Sequence, residues 1–407
     1  MRVTTLFNRV LNLPGARVGS VQLRDGELVV ELVRRRRRLR CPCGRPATTR
    51  YDTSRRYWRH LDLGTWKLWL LADIHRVDCR RCRRVRTEQV PWARPGARHT
   101  VEFEDQVAWL AQRMDKTSVA RLMRCSWEAV DHIVARVVAP YLTDDRLNGL
   151  RRIGVDEISY RRGRKFLTVV ADHDTGRVVW VGQGSGKQPL EEFFDALGAR
   201  RATALQAITM DGSPAYRAVA TDRAPQATIC MDPFHIIKMV NEALELVFNA
   251  DQPVPTTGQR TARTWRQARY ALRAGQERLK DQHRDFLKAL RRQRHRLFRA
   301  WELKEELRDF YRVVNPRHAI AYLNRWVTNA LRLQIGAFDN LVRFIRRHFD
   351  AIVASVHLGL SNSRLEGINA KIRVIQRQGY GYHNPDSLTA MIYLRLGRIA
   401  IELPTQR

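Results

Sequence analysis

Three acidic residues have the types and the spacing of a metal-dependent phosphate-transfer site. Asp156 and Asp211 each follow a short apolar run, and Glu366 lies near the start of a helical pattern at 361–371. Two carboxylates at strand ends and a third on a helix can hold two divalent ions, one for the attacking oxygen of a phosphodiester reaction and one for the leaving oxygen. Oxygen ligands favour Mg²⁺ or Mn²⁺. A lone aspartate at a strand end is more often a turn or cap residue, so the predicted catalytic site for two Mg²⁺ ions depends on all three residues together.

Three further residues lie close in sequence to these carboxylates. Asp232 ends another apolar run and competes with Asp211 for the second ligand position; Asp211 is favoured because its strand is expected to lie beside the first strand. His235 either contacts a phosphate or packs against the helix that follows it. Asn369 lies about one helical turn beyond Glu366, where it could orient that carboxylate or contact DNA. We therefore treat Asp232, His235 and Asn369 as neighbours of the catalytic site.

The composition indicates a polyanionic partner. Lys and Arg total 73 against 41 for Asp and Glu, which gives a formal net charge of +32. Such an excess favours binding through phosphates, and a basic ribosome-like or membrane-surface protein is the alternative. We favour double-stranded DNA because basic residues recur beside aromatic residues in several segments. No apolar run reaches the ~18–20 residues of a membrane span, and the first residues are too polar for a signal peptide, so we expect an intracellular protein without membrane contact.

Four of the six cysteines form two close pairs that are typical of a zinc ribbon. The pairs are Cys41 with Cys43 and Cys79 with Cys82. In a reducing cell interior such pairs favour metal binding over disulfides, and a hairpin can bring the four thiolates into tetrahedral coordination. The first pair has a spacer of one residue, shorter than usual, so His60 or His75 could replace a thiolate. We predict one structural Zn²⁺ on the four thiols, and the alternative is a degenerate ribbon that folds without metal.

A second DNA-binding element is predicted after the cysteine region. Helical patterns at 104–114 and 116–123 precede a longer third helix that begins after Ser126, which indicates a helix-turn-helix. Trp127 and the aliphatic residues of the third helix are expected in its core. A purely structural three-helix domain has the same pattern, and the basic segments around it favour DNA binding. The residues assigned to DNA contact are His132 and Arg136 on the third helix, Lys371 and Arg373 after the glutamate, and the run Arg34, Arg35, Arg36, Arg37 and Arg38. For this arginine run, a solvated loop is equally consistent with the sequence.

Residues 151–232 have the pattern of a mixed α/β domain. Five strands are expected at 152–156, 166–171, 177–182, 205–210 and 227–231. Their order is three strands in a meander, then helix, strand, helix and strand, which is the connectivity of an RNase H-like sheet. In that sheet the first and fourth strands are neighbours, so Asp156 and Asp211 are expected to converge. The residues that follow, 233–360, are almost wholly helical in pattern.

Several motifs resemble those of bacterial insertion-sequence transposases of the DDE superfamily, in the family labelled ISL-three. The most specific is Ser361-Asn-Ser-Arg-Leu-Glu366-Gly-Ile-Asn369-Ala-Lys371, followed by Gly379-Tyr-Gly-Tyr382. The others, in chain order, are Cys41-Pro-Cys43-Gly44 through Cys79-Arg-Arg-Cys82, Ile153-Gly-Val-Asp156-Glu157, Met210-Asp211-Gly-Ser-Pro-Ala-Tyr216, Asp232-Pro-Phe-His235 and Ala300-Trp-Glu-Leu-Lys-Glu305. Each motif is weak by itself, and six of them in this order extend over most of the chain.

The resemblance implies a multidomain α/β plus α protein whose RNase H-like core, a mixed five-stranded sheet with helices, is interrupted by an all-helical insertion. The implied domains are a hairpin and zinc-ribbon module at 1–98, a helix-turn-helix at 99–145, the first part of the core at 146–235, the insertion at 236–358, and the glutamate helix with the tail at 359–407. The two N-terminal modules would bind the DNA.

The resemblance also implies a function. The protein would bind the terminal inverted repeats of its own element and catalyse Mg²⁺-dependent strand cleavage and strand transfer, with Asp156, Asp211 and Glu366 as ligands. Two ends must be cut together, so a homodimer or larger synaptic complex is expected, in the bacterial cytoplasm with the nucleoid. The alternatives are a non-catalytic DNA-binding regulator derived from a transposase and a general RNase H-like nuclease. The complete carboxylate set argues against the regulator, and the separate DNA-binding modules argue against the nuclease.

Overall fold

The computed structural model consists of two compact units, and the second is inserted into the sequence of the first. One unit comprises Met1–Thr143 with Val374–Arg407, and the other comprises Asp144–Arg373. The structure describes residues 1–35, 39–47, 49–161, 163, 165–251, 268–292, 296–312, 315–360, 363–382 and 384–406. None of the helices within these ranges combines the length and the apolar character that a membrane crossing needs.

The first unit begins with helix α1 (Val3–Leu11) and a five-stranded sheet. The strands of the unit are β1 (Ala16–Arg24), β2 (Glu27–Arg34), β3 (Leu39–Arg40), β4 (Pro46–Ala47), β5 (Arg50–Arg59), β6 (Lys67–Cys79) and β7 (Arg84–Thr87). The sheet has the order β1-β2-β6-β5 with β7 on β6, whereas β3 and β4 pair only with each other. The predicted hairpin of β1 and β2 turns at Asp25 and Gly26, which both have a positive φ, as an Asp-Gly turn allows.

The segment after β7 covers one face of this sheet. Leu68, Leu70 and Ala72 alternate along β6 and belong to the hydrophobic core, because successive side chains of a strand point to opposite faces. Trp58 of β5 meets Trp92 edge to face, with ring centroids 5.7 Å apart and planes at 88°. The chain after β7 is therefore held firmly against the sheet.

Three helices follow: α2 (Val101–Ala111), α3 (Lys116–Leu122) and α4 (Trp127–Val138). Each begins after a residue whose side chain accepts a hydrogen bond from the first turn, namely Thr100, Asp115 and Ser126. Such caps satisfy backbone N–H groups that have no partner inside the helix. The first helix starts three residues earlier than the apolar pattern predicts, because Thr100 caps it.

The prediction that Trp127 is a core residue is wrong. Its side chain is 38% exposed, and its ring lies 4.3 Å from the ammonium of Lys116, which also pairs with Asp131. Trp127 is the first residue of α4, so its ring lies at the end of the apolar face that Val130 and Ile133 form. The ring therefore covers a buried cation and only partly enters the core.

The second unit contains a mixed five-stranded sheet. Its strands are β8 (Arg152–Arg161), β9 (Lys165–Asp172), β10 (Val178–Gln183), β11 (Ala207–Met210) and β12 (Thr228–Met231), in the order β10-β9-β8-β11-β12. The first three pair antiparallel, and β11 is parallel to both β8 and β12. The five predicted strands are present, but β8 does not end at Asp156. It continues to Arg161 because Ser159 still pairs with Phe166 of β9.

Helices connect and follow these strands. Helices α5 (Lys187–Leu197), α6 (Ala199–Ala202) and α7 (Pro214–Arg223) lie between β10 and β12. After β12 come α8 (Pro233–Ala250), α9 (Asp281–Arg292), α10 (Arg296–Arg312), α11 (Ala319–Leu333), α12 (Asp339–Arg347) and α13 (Phe349–His357). These later helices share a hydrophobic core, to which Met231 of β12 also belongs; in it Trp326 is buried and donates its indole N–H to the carbonyl of Leu303 at 2.9 Å. The described helices between β12 and the glutamate helix are therefore packed together.

The last two helices, α14 (Ser363–Gln378) and α15 (Pro385–Leu396), return the chain to the first unit. The side-chain amide of Gln112, just after α2, donates to the carbonyls of Leu394 and Ile399 at 3.0 and 2.8 Å. Arg395 donates in the other direction, to the carbonyls of Ala111 and Met114 at 2.9 and 2.6 Å. These bonds satisfy the carbonyls at the end of α2, so the C-terminal segment completes the helical part of the unit.

Helix α14 ends in a Schellman arrangement with a tyrosine at the position that glycine usually takes. The N–H of Tyr380 donates to the carbonyl of Arg377 at 3.1 Å, and the N–H of Gly381 donates to the carbonyl of Gln376 at 3.0 Å. Tyr380 has a φ of 50° and is 92% exposed. A left-handed φ costs a residue with a Cβ roughly 1–2 kcal/mol. Tyr380 therefore destabilises its own turn without burying its ring.

We expect Tyr380→Gly to raise the free energy of unfolding of the first unit by roughly 1 kcal/mol, because glycine takes a left-handed φ without strain. The measurement is urea unfolding, with Tyr380→Ala as the matched control that removes the ring and keeps the Cβ. The alanine variant is expected to unfold like the wild type. Unfolding of the glycine variant at a lower urea concentration than the wild type would contradict the prediction. If the alanine variant also unfolds at a lower concentration, the ring supports the turn.

Candidate active site and metal centre

The register of the second sheet brings Asp156 and Asp211 to the same level. In the parallel pair of β8 and β11, Thr209 lies opposite Gly154. Asp156 and Asp211 each lie two residues beyond this last paired position. Parallel strands advance at the same rate, so Asp156 of β8 lies level with Asp211, which directly follows the end of β11. This neighbour relation of the first and fourth strands is the one that the sequence pattern predicts.

Asp232 lies at the same level of the sheet. Its N–H donates to the carbonyl of Met210 at 3.0 Å, and its carboxylate accepts the N–H of Phe234 at 3.2 Å, which makes Asp232 the N-cap of α8. In the next turn His235 packs against Phe344, with ring centroids 5.6 Å apart. The structure thus gives Asp232 a capping role and places the ring of His235 against a residue of α12.

Helix α14 approaches β8 closely because Gly154 has no side chain. A Cβ at Gly154 would lie 2.2 Å from Leu365 and 2.9 Å from His173 and Thr209. Arg364 donates to the carbonyl oxygen of His173 and fixes the start of the helix. Glu366, the third predicted catalytic carboxylate, is in this first turn of α14. Gly154 and Arg364 are positioning residues that sequence reasoning missed, because their roles depend on contacts between distant parts of the chain.

Asn369 holds a different carboxylate from the one predicted. Its side-chain amide donates to Asp156 Oδ2 at 2.6 Å, whereas the two roles considered from the sequence were to orient Glu366 or to contact DNA. The other oxygen of Asp156 accepts the N–H of Glu157 at 2.8 Å. Asn369 lies one turn beyond Glu366, and that turn of α14 faces β8. Asp156 therefore has both of its oxygens held by donors.

Burial and mutual repulsion raise the pKa values of two carboxyl groups in the site. Burial raises the pKa of Asp156 to about 6; the charges of Asp211 and Asp232 act in the same direction, and the Glu157 amide and the Asn369 side chain oppose them. Burial and then the charge of Asp156 raise the pKa of Glu366. A raised carboxyl pKa means that the negative charge is poorly compensated. A divalent cation would supply that compensation.

The carboxylates are spread more widely than the ligands of a single ion. Among the residues that the structure describes, the only three or more possible ligand atoms within 4.8 Å of one another are four cysteine sulfurs. In a two-ion site the ions lie about 4 Å apart, and with bonds of about 2.1 Å the flanking carboxylates are separated by up to roughly 8 Å. Within the described residues, these carboxylates are therefore not gathered as the ligands of a single ion.

The four predicted thiols come together in the first unit. Cys41 Sγ lies 3.8 Å from Cys82 Sγ, and Cys43 Sγ lies 3.7 Å from Cys79 Sγ. Four sulfurs at 2.3 Å from a tetrahedral zinc ion are separated by about 3.8 Å. The short first spacer is accommodated in the turn between β3 and β4, where Gly44 has a φ of 84°. Donor type, number and spacing all fit Zn²⁺.

Hydrogen bonds within the cluster also shift the pKa values of the thiols in opposite directions. The backbone N–H of Cys82 lowers the pKa of the Cys79 thiol to about 6, so one thiolate forms readily. Hydrogen bonding with Cys43 raises the pKa of Cys82 to about 12. The Cys82 thiol therefore needs a cation before it ionises near neutral pH. The two histidines considered as replacements have other partners: His60 pairs with Thr100, and His75 pairs with Thr53.

The residues assigned to DNA contact do not all remain available. Arg34 pairs with the buried carboxylate of Glu88, and Arg136 donates to the buried carboxylate of Glu104 at 2.8 Å. These two arginines therefore support the packing of the first unit. Arg35 is exposed, and Arg36, Arg37 and Arg38 lie outside the described residues. The exposed residues of the assigned set on the helices are His132 on α4 and Lys371 and Arg373 on α14.

Two segments of the chain match known transposase domains. Residues 153–392 match a family described as a transposase, of DDE and ISL3 type. Residues 88–138 match the helix-turn-helix domain of transposase family ISL3. The first match alone extends over more than half of the chain and contains all three predicted catalytic carboxylates.

The chain is also similar to characterised relatives along most of its length. The transposase for insertion sequence element IS1557 of Mycobacterium tuberculosis is 39% identical in an alignment 407 residues long. The alignment covers 93% of this chain and 91% of that protein. The transposase for insertion sequence element IS1001 of Bordetella parapertussis is 25% identical over 346 residues, which cover 84% of this chain and 85% of that protein. The chain therefore belongs to transposase family ISL3, as an insertion-sequence transposase with a helix-turn-helix and a DDE catalytic domain.

Proposed function

We propose that Asp156, Asp211 and Glu366 are the catalytic carboxylates of this transposase and hold two Mg²⁺ ions. The parallel register of β8 and β11 carries the proposal, because it brings the two aspartates to the same level on neighbouring strands. The raised pKa of Asp156 supports it, since mutually repelling carboxylates are stabilised by divalent cations. Asp232 caps α8 at the same level and adds negative charge to the site without being one of the three ligands.

The proposed reaction proceeds in two displacements at phosphorus. Water attacks the phosphodiester at the end of the element; the bond to the 3′ oxygen breaks and leaves a free 3′-hydroxyl. That hydroxyl then attacks a phosphodiester of the target DNA, and the displaced strand leaves with its own 3′-hydroxyl. When bound, the two ions would supply the positive charge for the attacking and leaving oxygens. Asn369 and the Glu157 amide keep Asp156 in one orientation. Because water and then the 3′-hydroxyl attack phosphorus directly, no serine or tyrosine nucleophile is needed.

We propose that the second sheet is the RNase H-like core. The strand order β10-β9-β8-β11-β12, with three antiparallel strands and two parallel additions, supports this fold. The domain limits proposed are 146–235 with the glutamate helix from 359 for the core and 236–358 for its insertion, whereas Val374–Arg407 belongs to the first unit. The hydrophobic core that α8 to α13 share supports the insertion.

We propose that the N-terminal modules recognise DNA, with a zinc ribbon in 1–98 and a helix-turn-helix in 99–145. One Zn²⁺ on the four thiols would hold the β3–β4 turn against the end of β6. Helix α4, with the exposed His132, would read the terminal inverted repeat in the major groove. Arg35, Lys371 and Arg373 would contact phosphates. Because both ends of an element are cut together, the active form is a homodimer or a larger synaptic complex.

The test of this function is an incubation of the purified protein with Mg²⁺ and a labelled duplex that carries the element's own terminal repeat. Nicks with 3′-hydroxyl ends at the repeat and joining of that end to a second DNA are expected. A duplex with a scrambled repeat is the matched control, and equal cleavage of both would indicate a general nuclease. Specific binding without cleavage, also when two ends are supplied on one DNA, would favour the regulator.

A further inference from the structure

A groove in the first unit is lined by arginines that neither the predicted helix-turn-helix nor the arginine run includes. It has a volume of about 980 Å³ and lies between β5, β7 and the chain that leads to α2. The arginines that line it are Arg55, Arg56, Arg84, Arg86, Arg94 and Arg98. Tyr57, which is 45% exposed, adds an aromatic face.

Internal ion pairs account for only some of this charge. Arg55 pairs with Glu31, and Arg94 pairs with Glu104 and Asp105. Glu88 is the one acidic residue in the lining of the groove, and it is neutralised by an arginine of β2. The structure gives no carboxylate partner, within its described ranges, to the remaining four: Arg56, Arg84, Arg86 and Arg98. The groove therefore carries a concentrated positive charge that the fold leaves uncompensated.

The groove is rigidly joined to the start of the helix-turn-helix. The N–H of Arg59 donates to the carbonyl of Arg98, and the N–H of Thr100 donates to the carbonyl of Arg59, both at 2.9 Å. The side chain of Thr100 caps α2 and contacts the ring of His60 at 2.8 Å. A ligand in the groove and a ligand on the helices would therefore be held in a constant relation to each other.

We propose that this groove binds the phosphate backbone of the duplex whose repeat the helix-turn-helix reads. Guanidinium groups bind phosphate oxygens in a planar, two-point geometry, and a polyanion can engage several of them at once. Backbone contacts fix the register of a protein on DNA and contribute little to base discrimination. The groove thus supplies affinity and orientation, and α4 supplies the sequence preference. This inference rests on the proposed function only in its choice of DNA as the ligand.

The test is the double variant Arg84→Gln with Arg86→Gln, measured for binding to the terminal-repeat duplex over a series of salt concentrations without added Mg²⁺. We expect roughly 10- to 100-fold weaker binding at a fixed salt concentration and a slope of log affinity against log salt that is smaller by about 2, since each phosphate contact contributes about 0.9. Binding to a scrambled duplex is expected to fall by the same factor. The matched control is Arg17→Gln with Arg24→Gln, which removes the same charge from exposed positions of β1.

Equal losses in the groove and control variants would overturn the proposal, because only the net charge would then matter. A loss confined to the terminal repeat would overturn it too, since the groove would then be reading bases. If the first double variant loses zinc or folded structure, Arg56→Gln with Arg98→Gln repeats the test from β5 and the chain before α2. Cleavage is read separately: a wild type that binds but never cuts refutes the catalytic proposal and leaves the groove result unaffected.

Discussion

The Asp156→Asn variant is expected to lose strand cleavage by about a thousandfold or more while it still binds the end of the element. The substitution keeps the shape of the side chain and removes the charge that two metal ions would share. Metal ions supply several kcal/mol to such a transition state, and each 1.36 kcal/mol corresponds to a factor of ten in rate. The measurements are the cleavage rate with Mg²⁺ and the affinity for the same duplex without it. The same result is expected for Asp211→Asn and Glu366→Gln.

Three matched variants separate the ligands from their neighbours. Asn369→Ala removes the donor to Asp156 Oδ2 and is expected to reduce cleavage by roughly 10- to 100-fold, the usual cost of losing a residue that orients a ligand. Glu157 is not one of the proposed ligands, and its carboxylate accepts the N–H of Gly186. The Glu157→Gln variant should therefore retain cleavage. Asp232→Asn should retain it as well. Full activity in Asp211→Asn together with inactivity in Asp232→Asn would reverse the assignment of the second ligand.

The second large effect is expected at the thiol cluster. Cys79→Ser should abolish zinc binding, unfold the strands around the cluster and eliminate binding to the terminal repeat. Structural zinc contributes about 10–16 kcal/mol to small domains that fold with it, far more than the stability of an ordinary domain can replace. The measurements are zinc content per chain, protease resistance of residues 1–98 and affinity for the duplex. A strong chelator should have the same effect on the wild type.

Cys125→Ser is the control for this experiment. Cys125 is a free thiol just before α4 and is not part of the cluster, so zinc content and DNA binding should remain at the wild-type level. If Cys79→Ser instead keeps its protease resistance and its DNA affinity, and the wild type carries no zinc, the ribbon is a degenerate one that folds without metal. That outcome would refute the zinc proposal and leave the catalytic site untouched.

The positions of the catalytic aspartates follow from local patterns that a sequence displays. Each lies after a run of apolar residues, and the order of strands and helices determines which strands are neighbours. The two thiol pairs could be recognised in the same way, because the short spacer within each pair predicts a tight turn. Such features depend on residues close together in the chain. For this reason the convergence of Asp156 with Asp211 and of the four cysteines could be predicted.

Other features depend on partners that are distant in the sequence. Asn369 bonds a carboxylate 213 residues away, and Arg34 pairs with Glu88 54 residues away. No periodicity shows which of two nearby carboxylates an amide will reach, or that one arginine in a run of five is used inside the fold. The groove arginines are likewise separated in sequence and become one surface only when β5 and β7 pair with β6.

Gln112 is hydrogen-bonded to the C-terminal segment, and Arg395 is hydrogen-bonded to the end of α2. These bonds have a consequence for biosynthesis. The DNA-binding unit needs residues from both Met1–Thr143 and Val374–Arg407, and a ribosome must make all of Asp144–Arg373 in between. At about 5–20 residues per second, that interval lasts roughly 10 to 50 s. A nascent or prematurely terminated chain therefore lacks the segment that secures the end of α2. A chain that stops before Val374 is therefore expected to bind the ends of the element more weakly than one that includes Val374–Arg407.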